Sequence, residues 1–409
     1  MGGFSESMAL FERARKVVPG GIPGHQNPML LVPGQSPCFI ERAEGCRFRD
    51  VDGNEYIDYM CAYGPMILGY NHPKVEAAVR AQMAKGNLFN LPSPLWVDLA
   101  ERMVDLIPTA DWAVFGKNGS DAVNYAVVVA RAHTGRKTII MAEGAYHGIG
   151  SWCTPSTAGI IPEDRAAVLR FEYNDAAGLK ALLDTRGDDA AAVVITPFRH
   201  EMFHDQEMAH EAFLDVLRGA CRDEGPLLII DDVRAGFRLH MGGSAEYLGL
   251  KPHLSCFSKA MGNGYPISSC VGVEALRESA GQVFFTGSFF TSAVPLAASL
   301  ATIEEMLKTR ALEHIFRVGD QLRQGLLNQA REVGMAINLT GPATIPFMTF
   351  AGDDDFARIT TFCARAYQEG VFFHPYHNWF VSAAHTEADI EETLVKTKKA
   401  FEETAEIFG

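Results

Sequence analysis

The stretch from Pro226 to Lys259 holds residue types that could do chemistry together. PLLIIDDVRAGFR is an apolar run closed by two consecutive acids, Asp231 and Asp232, which reads as a buried strand ending in carboxylates. Past HLSCFS comes Lys259, a lone lysine between an apolar run and the glycine-bearing loop AMGNG. A buried acid followed at this interval by a buried lysine is what a pyridoxal phosphate enzyme requires. The carboxylate keeps the pyridine nitrogen protonated so that the ring draws electrons, and the lysine amine forms a Schiff base. Taken alone, the two features fit an α/β enzyme with acids at a strand end and a surface lysine better still.

Further candidates stand where strands hand over to helices, the ligand-binding edge of open α/β sheets. After WAVFG, residues Gly119, Ser120 and Asp121 open a helix. Their N–H groups and a hydroxyl can cradle a phosphate; the same residues equally make a plain helix cap. After KTIIMAEG come Tyr146 and His147. An aromatic there can stack on a flat ring, although exposed Tyr-His pairs on loops are common. Val233 shares a face with Asp231 and either presses on a bound ring or fills core.

The elements that must position these residues follow from patterning. The runs WAVFG, KTIIMAEG, AVLRFEY, AAVVITP, PLLIIDD, LSCFSK and SSCVGVE alternate with helical stretches. That alternation predicts a mainly parallel sheet of seven strands with helices on both faces. Helices are expected over 5–18, from His72-Pro73 onward, over 95–107 and over 293–308. A hairpin is expected to turn at Asp52-Gly53 within CFIERAEGCRFRDVDGNEYIDY. The expected division is 1–50 as the N-terminal part of a small α/β domain, 51–305 as the large domain, and 306–409 as the C-terminal part of the small one.

Composition narrows the function classes. The 409 residues suffice for two domains, and a formal net charge of −14 argues against a nucleic-acid binder. No apolar run approaches membrane-spanning length. The eight cysteines are scattered without a CxxC pair, which favours reduced core thiols in a cytoplasmic protein over disulfides or zinc.

Taken together, FRDVDGNEYIDY, AYGPMILGYNHP, NGSDA, VARAHTGR, EGAYHG, IIDDVRAGFR, FSKAMGNGYPIS and SAAHTEADIEET resemble the class III, fold-type I pyridoxal phosphate aminotransferases over nearly the whole chain. Their closest look is to the branch with glutamate-1-semialdehyde 2,1-aminomutase. The resemblance implies Lys259 as the Schiff-base lysine and Asp231 as partner of the pyridine nitrogen. It implies Tyr146 and Val233 on the two ring faces, and Gly119 and Ser120 on the phosphate, with His147 beside them. It also implies a homodimer with sites at the interface, where TGSFFTSAVPLAA of the neighbouring chain offers Ser288 or Thr291 to the phosphate. Tyr63, beside GPMI, would line the substrate pocket, with a core tyrosine as the competing reading.

Departures from that pattern bear on substrate. The aminomutase's long gating loop after YHG is short here (SWCTPSTAGIIPEDRAAVLRFEYND), which favours intermolecular amino transfer over retention of an intermediate. Where Glu-Pro is usual, the chain has Thr196-Pro197-Phe198-Arg199-His200, so Arg199 either faces a substrate carboxylate or is solvated or structurally paired. HPYHNW brings His374, His377, Asn378 and Trp379 together as pocket rim or small-domain core, without the acids or cysteines a metal site would add. The N-terminal GHQNP offers His25 and Gln26 where some relatives clamp an acid. The expected activity is amino transfer from an amino acid or amine to a carbonyl acceptor with ping-pong kinetics. An aminomutase or racemase is the alternative, and a non-catalytic relative the poorest reading.

Overall fold

The computed structural model describes residues 3–222 and 225–409. All seven apolar runs form one sheet, in the order Trp112–Gly116, Ser268–Gly272, Leu254–Phe257, Leu227–Asp231, Ala190–Ile195, Thr138–Ala142, Val168–Phe171. Leu227–Asp231 pairs in parallel with both neighbours, as do the strands out to Val168–Phe171. Ser268–Gly272 alone runs against its neighbours on both sides. Ala190–Ile195 and Leu227–Asp231 are buried at every position. Strands covered on both faces need apolar side chains pointing both ways, which is why they read as continuous runs.

Helix signals translate directly. Ser5–Val17, Pro73–Met83, Leu95–Leu106 and Ala293–Thr309 form at the expected places. The helix Gly119–Thr134 begins where the Asp121 carboxylate accepts the N–H groups of Lys117 and Asn118, at 2.9 and 2.8 Å. It stops at Gly135, whose φ of +67° is left-handed.

Two compact units partition the chain. One comprises Pro73–Glu201 and Glu207–Leu312 and contains the seven-stranded sheet; the other comprises Met1–His72, Met202–Gln206 and Glu313–Gly409. The division therefore falls after His72 and Leu312 rather than after residues 50 and 305. Residues 51–72 stay with the second unit because Glu55–Asp58 pairs antiparallel with Arg47–Asp50 and parallel with Val371–Phe372. The short return Met202–Gln206 is held within that unit too. Gln206 donates its N–H to Thr340 Oγ1 at 3.0 Å, and Asp205 accepts from the Thr349 hydroxyl at 2.7 Å. Among the described residues, no helix is long and apolar enough to cross a membrane, and no group of three or more His, Cys, Asp or Glu is arranged to hold a metal ion. All eight cysteines are free thiols.

Candidate active site

Consecutive acids at a strand end diverge, because successive side chains leave opposite faces. Asp232 is buried and accepts the N–H of Ser244 at 2.7 Å and its hydroxyl as well, so it anchors the turn into the helix Ser244–Leu248. Burial pushes its carboxyl up to about 7. Asp231 is buried on the other side. It accepts from His147 Nδ1 at 2.7 Å and from the Val233 N–H at 3.1 Å. That bond makes Nδ1 the protonated nitrogen, leaving Nε2 of the buried imidazole without a hydrogen-bond partner among the described residues. The ring lies parallel to Trp152 with centroids 6.2 Å apart, and Trp152 is fixed by Asn124 at 2.8 Å.

Lys259 follows Leu254–Phe257 after Ser258 and opens a short 3₁₀ turn, with its own φ at +45°. A left-handed lysine is strained, and such strain collects at functional sites. Its amine is lowered to about 7, by burial first and then by the charge of Arg234, with Asp231 opposing. A lysine whose folded value lies below its unfolded one carries a penalty that is full below about pH 7 and relieved as pH rises through about 10.5. Lys259→Met in cofactor-free protein should therefore raise Tm by a few degrees at neutral pH, discounted for the lysine's partial exposure. In calorimetry the gain should shrink toward zero by about pH 11.

Gly119 sits against Val233: a Cβ at Gly119 would meet the two Val233 methyls at 2.6 and 2.7 Å. Gly148 (φ +105°) presses on Ser120 in the same way, its virtual Cβ 2.3 Å from the hydroxyl, and Ile149 donates its N–H to that hydroxyl at 3.2 Å. The helix N-terminus, the Val233 turn and the loop from Ala145 to Ile149 are thus in mutual contact. Tyr146 is half-exposed and lies within electrostatic reach of Asp231 and Arg234. His200, after Phe198–Arg199, is buried and held well below the usual imidazole range by burial, then by Arg234, with Lys259 and His147 also contributing. Lys259, Asp231, His147, Tyr146, Gly119, Ser120 and Val233 all belong to the unit that holds the sheet.

Other candidates fall elsewhere. Arg199 is held by Glu201 at 3.0 Å and Glu207 at 2.9 Å, the structurally paired alternative. Arg234, three residues past Asp231, acts by its charge on Lys259, as Arg238 does to a lesser degree, and its place in the turn after the Asp231 strand is the signal the sequence offers for it. Trp379 is fully buried, stacked on Phe373 at 4.0 Å with its indole N–H on the His374 carbonyl at 2.9 Å, so it is core rather than pocket wall. Tyr63 is half-buried at the end of three consecutive left-handed residues, Cys61 to Tyr63. Its hydroxyl donates to the His25 carbonyl at 2.8 Å, and its ring meets His25 and His377 edge-on. Ser288 is exposed and Thr291 half-buried on the segment 286–292.

Comparison with known proteins agrees with this geometry. Residues 32–404 match the family model described as Aminotransferase class-III. The aminopentol aminotransferase of Sphingopyxis macrogoltabida is 48% identical, over 96% of this chain and 93% of that one. The 3-aminobutyryl-CoA aminotransferase of Cloacimonas acidaminovorans is 36% identical, over 98% and 97%. Glutamate-1-semialdehyde 2,1-aminomutases match at lower identity. Among solved structures, the PLP internal aldimine form of the Sphingopyxis sp. MTA144 FumI protein superposes with a TM-score of 0.97 at 47% identity, covering 99% of this chain and 97% of that one. Pyridoxal phosphate is the cofactor, and the residues present fit it. A carboxylate is fixed at a strand end, a lysine amine is held near neutrality, and Gly119 lets the helix N-terminus approach Val233 where a Cβ would clash. With sheet, acid, lysine and glycine-opened helix all in the expected order, the chain belongs to the class III aminotransferase family and is a pyridoxal phosphate-dependent aminotransferase.

Proposed function

We propose that Lys259, Asp231 and Tyr146 carry the amino-transfer chemistry, that Gly119, Ser120, His147 and Val233 hold the cofactor with them, and that an amino acid or amine donor and a carbonyl acceptor use one pocket in turn. The carrying observation is the Lys259 amine, held at about 7 within electrostatic reach of Asp231. An amine with that value is substantially neutral at physiological pH and can take a proton from the substrate carbon and return it elsewhere. When bound, the cofactor supplies an electron-withdrawing ring that stabilises negative charge on the carbon losing its proton. Asp231, gripped by His147 and the Val233 N–H, would hold its carboxylate for the ring nitrogen. Gly119 and Ser120 at the helix N-terminus would hold the phosphate, with Tyr146 and Val233 on the two ring faces. The relative named for aminopentol supports an amine donor as well as an amino acid.

We further propose a homodimer in which the segment carrying Ser288 and Thr291 serves the partner's phosphate. Phe284 and Phe289 on that stretch are 92% and 65% exposed, apolar surface that a second copy would cover. Phe284→Asp combined with Phe289→Asp should convert dimer to monomer in light scattering and weaken cofactor retention. The free thiols support a reducing, cytoplasmic location.

The deciding experiment mixes cofactor-loaded protein with single amine donors and no acceptor. One carbonyl product per site, formed once and then stopping, is the expected result. Isomerised donor without net carbonyl release would instead establish the aminomutase or racemase alternative.

A further inference from the structure

The His147 imidazole gives its Nδ1–H to Asp231 at 2.7 Å, so its Nε2 is a lone-pair acceptor. That Nε2 is buried and has no hydrogen-bond partner among the described residues. A buried acceptor without a donor favours any rotation that returns it to water. Such a rotation would withdraw Nδ1–H from Asp231, so another group must hold the ring in place.

Trp152 stands where that group is needed. It is buried, and its ring lies within 11° of parallel to the imidazole, with centroids 6.2 Å apart. Its indole N–H donates to Asn124 Oδ1 at 2.8 Å. Asn124 lies one helical turn beyond Ser120, whose hydroxyl accepts the Ile149 N–H at 3.2 Å. One face of the helix Gly119–Thr134 therefore grips the loop that follows His147 at two points. Gly150 lets the backbone pass beside the Asn124–Trp152 bond, since a Cβ there would lie 2.6 Å from Asn124 Oδ1. Arg165 ties the same loop further on, donating to the carbonyls of Ser151, Thr154 and Ser156. All of these residues belong to the unit that holds the sheet.

We propose that Trp152, clamped by Asn124, is a positioning residue that acts through His147 to keep the Asp231 carboxylate in place for the ring nitrogen; this rests on the assignment of Asp231 given above. The parallel indole blocks the imidazole from swinging away and keeps water from Nε2. Phenylalanine at 152 would keep a flat face and lose the N–H, whereas leucine would lose both. The two changes therefore separate the clamp from the face.

The test reads the His147 proton first, in cofactor-free protein. An Nδ1–H bonded to a carboxylate gives a far-downfield proton resonance, identified here by its loss in His147→Phe. It should be sharp in the parent, broaden in Trp152→Phe and Asn124→Ala, and vanish in Trp152→Leu. In the cofactor-loaded enzyme, kcat should fall about fivefold in Trp152→Leu with KM little changed. Adding Trp152→Leu to His147→Phe should cost nothing further, because both act on one contact. The pH midpoint of the bound cofactor's visible absorbance should move in the same direction in Trp152→Leu as in His147→Phe. A resonance unchanged in Trp152→Leu, or losses that multiply in the double variant, would make Trp152 core packing and overturn the assignment. Should the leucine variant misfold, an unbroadened resonance in both Trp152→Phe and Asn124→Ala would overturn it equally. If Asp231→Asn left the absorbance midpoint unmoved, the ring-nitrogen reading would fall instead, while the resonance would still decide the role of Trp152.

Discussion

Replacing Lys259 by alanine should lower amino transfer by at least about 10⁴-fold while leaving the fold intact. In the proposed mechanism Lys259 would have two duties, covalent attachment of the cofactor and proton movement at the substrate carbon. The two histidines of this region do not replace it: His147 is tied to Asp231, and His200 is buried and held well below the usual imidazole range. Lys259→Arg separates charge from basicity. It restores a cation at the position but has no neutral nitrogen near pH 7, so it should be as inactive as the alanine variant. Added ethylamine should restore part of the activity of Lys259→Ala and none to Lys259→Arg, whose guanidinium fills the space. The far-ultraviolet circular dichroism of both variants should match the parent. Alanine-variant activity within about tenfold of the parent would remove Lys259 from the centre of the mechanism.

The parts legible in the sequence share a physical cause. Strands buried on both faces must be nearly all apolar, so Ala190–Ile195 and Leu227–Asp231 were visible as runs, and the acid ending the second stood out. Helix starts were visible because capping chemistry is local: Asp121 serves N–H groups three and four residues before it. What stayed hidden depends on partners far along the chain. The placement of 51–72 is decided by Val371–Phe372, and the bond from His147 to Asp231 spans 84 residues. Charge identity carries no such information either. Arg199 reads in the sequence either as facing a substrate carboxylate or as paired, and only the positions of Glu201 and Glu207 decide for the pair. Trp379, in an irregular, histidine-rich tail, reads as pocket rim or small-domain core, and its ring packs on Phe373 inside the second unit. Periodicity exposes elements; it does not report which irregular segments fold back into core.

Asp231→Asn should cost about 10³-fold in turnover, the second-largest effect expected at the site. Asparagine preserves volume and one acceptor oxygen, so the change isolates charge. A neutral amide cannot hold a pyridine nitrogen in its cationic form, and that cation is what lets the ring accept electron density. The substitution also disturbs the other side of the pair. His147 donates Nδ1–H to the carboxylate at 2.7 Å, and an amide turned the wrong way presents a donor to that donor. Asp231→Glu keeps the charge but adds a methylene where Val233 and His147 already fix the oxygens, so a smaller loss of about 10- to 100-fold is expected. His147→Phe removes the grip while sparing the acid, and its loss should be smaller than that of Asp231→Asn. The ordering Asp231→Asn, then Asp231→Glu, then His147→Phe, measured as kcat/KM with one donor, is the result that identifies fixed negative charge as the contribution of this strand end. If Asp231→Asn fell within tenfold of the parent, the carboxylate would be a structural anchor like its neighbour Asp232, and another group would have to hold the ring nitrogen.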